Sequence, residues 1–175
     1  MQRDRTSREQ SERGGTPARN PLALRLYPDS VLRTACEPID WFDAWLADVF
    51  EEMLALMRNH DGIGLAGPQA GLTKRLFVAE LEGRALCLAN PVILARDGQD
   101  RMVEGCLSLP GMQVEMDRAF HLEVHGYDVR GRKHKHRVDG MSARVMQHEI
   151  DHLDGVLICD HQESHARRNK KAPKP

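Results

Sequence analysis

The sequence predicts an α+β fold: a single compact domain in which mostly antiparallel strands pack around a helix near the C-terminal end. Two segments show the three-and-four spacing of apolar residues that an amphipathic helix requires. Between them lie short apolar runs, separated by glycine or Asn-Pro, which are typical of strands. These segments do not follow the regular βαβ order of a doubly wound sheet. A length of 175 residues is that of one ordinary domain.

The first predicted helix runs over Trp41–Met57. Its apolar side chains recur at intervals of three and four and therefore share one face. They are Phe42, Trp45, Leu46, Val49, Phe50, Met53, Leu54 and Met57. The turn-forming residues 59–62 end this helix, and the run 62–69, which holds three glycines and a proline, prevents it from resuming.

Strands are predicted in the centre of the chain. Three short apolar runs mark them, at Leu76–Leu81, Ala85–Ala89 and Pro91–Leu94. Farther on, apolar and polar residues alternate over His121–Arg137, with the pair Arg130-Gly131 as a turn. This later region is therefore predicted to be a β-hairpin.

The last predicted helix runs over Ser142–Leu153 and is closed by a glycine cap, Gly155. One of its faces is apolar and carries Met146, Ile150 and Leu153. The opposite face carries histidines, so the helix is expected to have a core face and a chemical face.

The chemical face contains the pattern H-E-x-x-H, the main functional signal of the sequence. His148 and His152 are four residues apart and project from the same side of the helix. Two imidazoles placed in this way can bind one metal ion. Glu149 lies beside them but is poorly placed as a ligand, which leaves it available for proton transfer.

A third ligand is needed to separate a metal site from a chance match. In metzincin proteases the motif continues to a further histidine, but Ile158 stands at that position. In thermolysin-like proteases a later glutamate completes the site, but here Glu163 alone follows and it is too close. The upstream residue Cys106 would complete a Cys-His-His set with an open fourth position for water.

Composition and charge exclude several classes of protein. Lys and Arg number 25 against 26 Asp and Glu, a net charge of −1, so no specific nucleic-acid partner is expected. The sequence shows no bilayer-spanning apolar run and no secretory signal, which predicts a cytoplasmic protein without a membrane partner. Its four cysteines should then remain reduced. Residues 1–20 are expected to be a disordered extension, 21–163 the folded domain and 164–175 a basic disordered tail.

Three blocks of the sequence together resemble the peptide deformylase family. The blocks are Gly62-Ile63-Gly64-Leu65-Ala66-Gly67-Pro68-Gln69, Glu104-Gly105-Cys106-Leu107-Ser108 and Gln147-His148-Glu149-Ile150-Asp151-His152. The resemblance covers approximately Leu22–Asp160, and the conjunction of the blocks is far more specific than any one of them. It implies that 21–163 is the catalytic domain of a metal-dependent hydrolase. This hydrolase would remove the N-formyl group from the initiator methionine of nascent polypeptides and release formate.

The resemblance also implies a ligand set and a mechanism. Cys106, His148 and His152 would ligate one divalent metal ion, with Fe²⁺ as the expected metal and Zn²⁺, Ni²⁺ or Co²⁺ as alternatives. A water activated by the metal would attack the formyl carbon. Glu149 would take up the proton of this water and pass it to the leaving amine.

Further roles are implied around the metal. The Gln69 side-chain amide and the Leu107 backbone N–H would stabilise the oxyanion. Substrate binding is expected from Ile63, Gly64, Leu65, Val145 and Arg118. Of these, the three apolar side chains would line the pocket for methionine and Arg118 would face the peptide chain, while Gly62 and Gly64 would let a peptide backbone approach closely. The partners would be N-formylmethionyl nascent peptides. The basic tail is interpreted as a solvated end, with a transient contact with the ribosome as the alternative.

Two positions depart from the usual family pattern. Gly67 stands where relatives carry a second alanine, which would loosen the loop that presents Gln69. Gln113 stands where many relatives carry an aromatic residue, which would make the rim of the substrate cleft more polar. The role of Asp151 stays open between orienting a ligand or an arginine and being a solvated charge.

Two other functions would use the same residues. A zinc endopeptidase would need a long open cleft for internal peptide bonds. A structural metal site, or a ribosome-bound interaction protein, would need a fourth side chain to close the metal position. The basic stretch 132–137 alternates within the predicted hairpin and is interpreted as a solvated face, not as a nucleic-acid site.

Overall fold

The computed structural model describes residues 21–161, so the predicted extension 1–20 and the predicted tail 164–175 lie outside the described residues. Two α-helices lie entirely within this range, α1 (Ala44–Asn59) and α2 (Gly140–Leu153). The strands are β1 (Gly64–Ala66), β2 (Leu76–Leu81), β3 (Arg84–Asp97), β4 (Asp100–Gly105), β5 (Gln113–Arg118), β6 (His121–Tyr127) and β7 (Lys133–Asp139). Short 3₁₀ turns lie at Ser30–Arg33 and Gly67–Ala70.

The strands form two antiparallel sheets. The larger sheet has the order β1-β2-β3-β6-β7, and the smaller one is the hairpin β4-β5. Helices α1 and α2 both pack on β1 and β2 of the larger sheet. The predicted fold class, mostly antiparallel strands around the motif-bearing helix, is therefore confirmed. None of the helices within residues 21–161 is long and apolar enough to cross a bilayer.

Helix α1 begins three residues later than the apolar period predicts. Asp43 is its N-cap, and the Asp43 carboxylate accepts a hydrogen bond from the Leu46 N–H at 3.3 Å. Phe42 precedes the cap and packs its ring on Tyr127, with the ring centroids 5.6 Å apart. The period therefore identified the buried face of the helix correctly, whereas the cap sets where the helix starts.

The two strands predicted around Asn90 are one long strand, β3. The register against β6 shifts between Ala89 and Val92, and Asn90 has a φ of 48°, so the Asn-Pro pair forms a bulge and does not end the strand. The Asn90 side chain fixes this bulge, because it accepts from the Ile39 N–H at 2.8 Å and donates to the Ile39 carbonyl at 2.6 Å.

The β6–β7 hairpin confirms the predicted one and extends it to Asp139. Its turn contains Gly131 with a φ of 72°, and the Asp128 carboxylate accepts from the backbone N–H groups of Arg130 and Arg132. The hairpin β4–β5, by contrast, is absent from the sequence prediction. Its strands are rich in charged residues, and only alternate positions of β5 are buried.

Helix α2 confirms the predicted last helix, with an N-terminus two residues earlier. Gly155, at a φ of 75°, follows its end and donates its N–H to the His152 carbonyl at 3.1 Å, as expected for a left-handed glycine cap. The apolar face packs against the larger sheet, and its members Met146, Ile150 and Leu153 are at most 5% exposed. The opposite face is covered as well, by the β4–β5 hairpin and the loop that follows β4.

Candidate metal centre

Three side chains predicted as metal ligands converge beside α2. One potential ligand atom from each of Cys106, His148 and His152 lies within 4.8 Å of the other two. Cys106 follows the last residue of β4, and its Sγ lies 3.2 Å from Nε2 of His152. The two imidazoles come from successive turns of α2, with ring centroids 4.9 Å apart. The β4–β5 hairpin therefore brings the thiol to the helix.

This donor set fits one divalent cation. A thiolate and two imidazoles are ligands that Zn²⁺ and Fe²⁺ accept, and three protein ligands leave a coordination position for water. Two buried polar atoms in the cluster, Glu149 Oε2 and His152 Nδ1, lack a hydrogen-bond partner among residues 21–161. Such atoms are costly unless a further ligand or ion completes the site.

The pKa values of the two histidines are shifted in opposite directions. Burial, together with the nearby charge of His148, lowers the pKa of His152 to about 3, which keeps this imidazole in the neutral form that binds metals. Burial also lowers the pKa of His148, but hydrogen bonds with Cys106 and Glu104 outweigh it and raise the value to about 10. A metal must be bound by a neutral imidazole, so loading this site displaces a proton from His148.

Glu149 is a buried carboxyl group at the wall of the site. It is 3% exposed, and burial raises its pKa to about 7. The backbone of Gly64 packs directly on its carboxylate, so that a Cβ at position 64 would collide with Glu149 Oε1. Glycine at position 64 therefore makes room for the Glu149 carboxylate. The sequence had suggested a different reason for this glycine, the close approach of a peptide backbone.

The Gln69 side chain is held rigidly towards the ligands. Its Oε1 accepts the Ala66 backbone N–H at 2.8 Å, which turns Nε2 towards Cys106 Sγ at 3.5 Å and Ser108 Oγ at 3.2 Å. Gln69 is 1% exposed and lies within the 3₁₀ turn Gly67–Ala70. Gly67, the departure from the family pattern, packs against the Lys74 carbonyl, which a Cβ at position 67 would approach to 2.5 Å. The expected loosening at Gly67 is therefore countered by close packing.

A cavity of about 490 Å³ opens beside the three ligands. Predicted site residues that line it are Ile63, Gly64, Gln69, Cys106, Leu107, Val145, His148 and Glu149. Its size is within the range of small-ligand and peptide side-chain pockets. Gln113 also lines the cavity, in agreement with its expected place at the rim.

Two predicted substrate residues are not among those that line this cavity. Leu65 is fully buried and packs in the core that α1 forms with β1 and β2. Arg118 is 7% exposed and forms ion pairs with Glu104 at 2.9 Å and Asp151 at 2.6 Å. These two carboxylates hold Arg118 beneath the ligand cluster, and the expectation that it faces the peptide stays a prediction.

The structure adds a buried charge cluster that the sequence analysis did not identify. Its centre is Glu104, whose carboxylate is bonded by Arg118, Arg144 and His148. Burial raises the pKa of Glu104, but hydrogen bonds from His148 and Arg118 outweigh it and hold the pKa well below its usual range. A signal was present: Arg144 lies four residues before His148 and thus on the same face of α2.

The structure also bears on the open role of Asp151 and on the basic stretch 132–137. Asp151 is a partner of Arg118 and not a solvated charge, since its carboxylate is paired with Arg118 at 2.6 Å and with His161 at 3.3 Å. In the basic stretch on β7, Lys135 and Arg137 pair with Glu123 on the exposed side of the hairpin. These pairs agree with a solvated face.

Known proteins are similar to this chain in sequence and fold. The family model for polypeptide deformylase matches residues 21–168. A peptide deformylase from Dictyoglomus thermophilum is 38% identical over 137 residues, 78% of this chain and 90% of the relative. The crystal structure of peptide deformylase from Thermotoga maritima gives a TM-score of 0.79 at 38% identity, covering 82% of this chain and 98% of that one. A class I type b peptide deformylase from Acinetobacter baumannii, with Met-Ala-Ser bound, gives 0.77 at 27% identity and covers 80% and 97%.

An α+β domain with a Cys-His-His cluster beside a buried glutamate defines a class of protein, the metal-dependent hydrolases. The chain belongs to the peptide deformylase family. Its activity is that of the family, removal of the N-terminal formyl group from nascent polypeptides. The predictions of the family and of the reaction are both confirmed.

Proposed function

We propose that the chain carries out deformylation at the Cys106–His148–His152 cluster, with one divalent cation as cofactor and N-formylmethionyl nascent peptides as substrates. The observation that carries the proposal is the convergence of the three ligands, within 4.8 Å, beside a cavity that Cys106, His148 and Glu149 line. A divalent cation held there would lower the pKa of a water towards neutrality and draw charge from the formyl oxygen. Fe²⁺ is the proposed metal, and Zn²⁺, Ni²⁺ and Co²⁺ suit the same ligands.

Glu149 is proposed as the group that moves the proton. With a pKa of about 7, it can accept a proton from water as the new C–O bond forms and donate it to nitrogen as the formamide C–N bond breaks. The products are formate and a free N-terminal amine. An exposed glutamate, with its ordinary pKa near 4.3, would be a poorer acid and base at neutral pH.

Gln69 and Leu107 are proposed to stabilise the oxyanion that forms on the formyl oxygen. The Gln69 amide fits this role because its Oε1 is already fixed by the Ala66 N–H, which leaves Nε2 directed to the ligand Cys106. A donor held in place before the reaction stabilises developing charge without reorganisation. Leu107 lines the cavity directly after Cys106, so its backbone N–H is the proposed second donor.

The methionine side chain is proposed to lie against Ile63 and Val145, which line the cavity together with Gly64. Leu65 would contribute indirectly, because its buried side chain packs in the core and holds β1 in place. A relative with Met-Ala-Ser bound supports a peptide with methionine as its first residue. Such nascent substrates support a cytoplasmic location, and the basic tail 164–175 is proposed to touch the ribosome transiently.

Formate release from formyl-Met-Ala-Ser tests the proposal, with anaerobically purified, Fe²⁺-loaded protein. Turnover is expected in the wild type, and Glu149→Ala should retain the metal but lose turnover. Cys106→Ala should lose the metal itself. A folded, metal-loaded wild type that releases no formate would contradict the proposal, and cleavage of internal peptide bonds would favour the endopeptidase.

A further inference from the structure

Glu104 is a buried carboxylate whose two oxygens are both occupied by charged donors. Oε1 accepts from Arg118 Nε at 2.9 Å and from Arg144 Nη1 at 2.6 Å. Oε2 accepts from Arg118 Nη2 at 3.0 Å, and His148 Nδ1 lies 3.0 Å from the same atom. The Glu104 side chain is 6% exposed, so water does not compete for these bonds.

The direction of the bond to His148 follows from the arginines. A guanidinium group can only donate and stays charged, so two of them keep Glu104 in its acceptor form. His148 Nδ1 must therefore carry the proton of this bond. A neutral imidazole protonated on Nδ1 has its lone pair on Nε2, and that is the nitrogen left to bind a metal.

We propose that Glu104 is a positioning residue of the metal centre, which fixes the tautomer and the ring orientation of His148 so that Nε2 is presented to the cation. The inference rests on the proposed function only in taking Cys106, His148 and His152 as the ligands. In this role Glu104 acts through its bond to His148 Nδ1.

The two histidine ligands differ in how they are held. His148 has a charged partner on Nδ1, whereas Nδ1 of His152 is buried without a partner in the described part of the chain. His152 is 1% exposed and is therefore oriented by packing. Loss of Glu104 should accordingly release one ligand of the three.

Glu104 also ties together the elements that carry the ligands. It lies on β4 two residues before Cys106, and its partners lie on β5 (Arg118) and on α2 (Arg144 and His148). Arg118 is fixed in turn by Asp151 at 2.6 Å. One carboxylate therefore sets the distance between the strand that ends at the thiol and the helix that carries the imidazoles.

The release of Zn²⁺ from the loaded protein to an excess of a chromophoric chelator tests the proposal. Glu104→Gln keeps the shape of the side chain but places an amide among three donors. It is expected to release Zn²⁺ about 10- to 100-fold faster than the wild type. Glu123→Gln is the matched control, because Glu123 is a carboxylate paired with two cations on the exposed face, and it should release at the wild-type rate. Release from Glu104→Gln at the wild-type rate would overturn the proposal.

A second control separates positioning from general loss of stability. Leu46→Ala removes a fully buried side chain from the core that α1 forms with β1 and β2, a core that contains none of the three ligands. It should lower the unfolding temperature but leave Zn²⁺ release unchanged. Equally fast release from Leu46→Ala and Glu104→Gln would overturn the proposal.

A measurement on the wild type keeps the proposal testable if Glu104→Gln does not fold. In cadmium-loaded protein with isotopically labelled histidine, coupling to the metal identifies the ligating nitrogen of each ring by nuclear magnetic resonance. The expected result for His148 is cadmium on Nε2 and a proton on Nδ1, and cadmium on Nδ1 would overturn the proposal. None of these readouts depends on formate release, so a failure of the proposed function would be recognised separately.

Discussion

The buried charge cluster beneath the metal centre and the exposed charge cluster on the β6–β7 hairpin are built alike but lie in opposite environments. In the buried cluster, Glu104 is paired with Arg118 at 2.9 Å and with Arg144 at 2.6 Å, and all three side chains are 4–6% exposed. In such surroundings charges interact strongly, but each must be compensated because water is excluded.

The exposed cluster also joins one glutamate to two cationic side chains, at similar distances. Glu123 is paired with Lys135 at 2.5 Å and with Arg137 at 2.8 Å. Here the side chains of Lys135 and Arg137 are 49% and 77% exposed, so water and salt can replace either partner. Burial, and not the ion-pair distance, therefore decides which of the two clusters stabilises the fold and the site.

Removing one cation from each cluster should give the largest contrast. Arg144→Met leaves part of the charge of Glu104 uncompensated and also breaks the bond from Arg144 to the Asp100 carbonyl. We expect a loss of roughly 3 to 5 kcal/mol in the free energy of unfolding. Arg137→Met, the matched exposed substitution, should leave the urea midpoint unchanged within error. Urea denaturation of the metal-free proteins measures both, and equal losses would show that burial does not separate the clusters.

Adding a single Cβ at position 64, beside Glu149, should abolish most of the activity with little change to the fold. Gly64→Ala places a Cβ against Glu149 Oε1, so the carboxylate must move away from the cavity. We expect the kcat/KM for formyl-Met-Ala-Ser to fall by about 100-fold or more, the usual weight of a general acid–base. The metal content should not change.

The control for this substitution is Gly83→Ala. Gly83 has a φ of 73° and nothing within 4 Å of a Cβ, so its replacement strains the backbone in an open turn. It should lower stability while leaving kcat/KM at the wild-type value. If Gly64→Ala retained full activity, the contact between residue 64 and Glu149 would not matter for catalysis.

Neutralising Glu149, whose Oε2 has no hydrogen-bond partner within residues 21–161, should instead raise the free energy of unfolding. The pKa of Glu149 is raised from 4.5 in the unfolded chain to about 7, so the folded protein is penalised wherever Glu149 is ionised. In the metal-free protein, Glu149→Gln should therefore equal the wild type below about pH 4.5. It should gain stability as pH rises to about 7 and keep the whole gain above that, on the order of 2 to 3 kcal/mol. Urea denaturation at pH 4 and pH 8 measures the difference in stability between Glu149→Gln and the wild type. A gain found only at pH 4 would contradict the expected pH dependence.

The contrast between the clusters also explains how much could be predicted from the sequence. The H-E-x-x-H pattern, the helix period and the Cys106 block predicted α2 and the ligands, because each signal is local or combines into a family pattern. The β4–β5 hairpin escaped prediction because charged residues such as Glu104 and Arg118 in a strand suggest a solvated surface. Each of these charges can be buried only because the other compensates it. The two residues are 14 apart in sequence, so their pairing depends on the tertiary fold and not on a local pattern.

The Asn90 bulge and the position of Arg118 have similar causes. Asn-Pro normally ends a strand, but the backbone of Ile39 supplies both partners of the Asn90 amide and the strand continues. Arg118 follows the cysteine block, as the family resemblance requires, yet nothing in the sequence shows on which side of β5 its partners Glu104 and Asp151 lie.

Neutralising the anion of the exposed cluster should give the smallest effect and the finest test of the comparison. Lys135 and Arg137 donate hydrogen bonds and charge that lower the pKa of Glu123, but that carboxylate is open to water. Glu123→Gln should thus show no change in unfolding temperature near physiological salt and a slight decrease only at low salt, where the attraction is less screened. Thermal unfolding at low and high ionic strength distinguishes these cases. A decrease that persisted at high salt would mean that the ion pairs of Glu123 stabilise the fold even when they are screened. Burial would then not explain the difference between the exposed cluster and the Glu104 cluster.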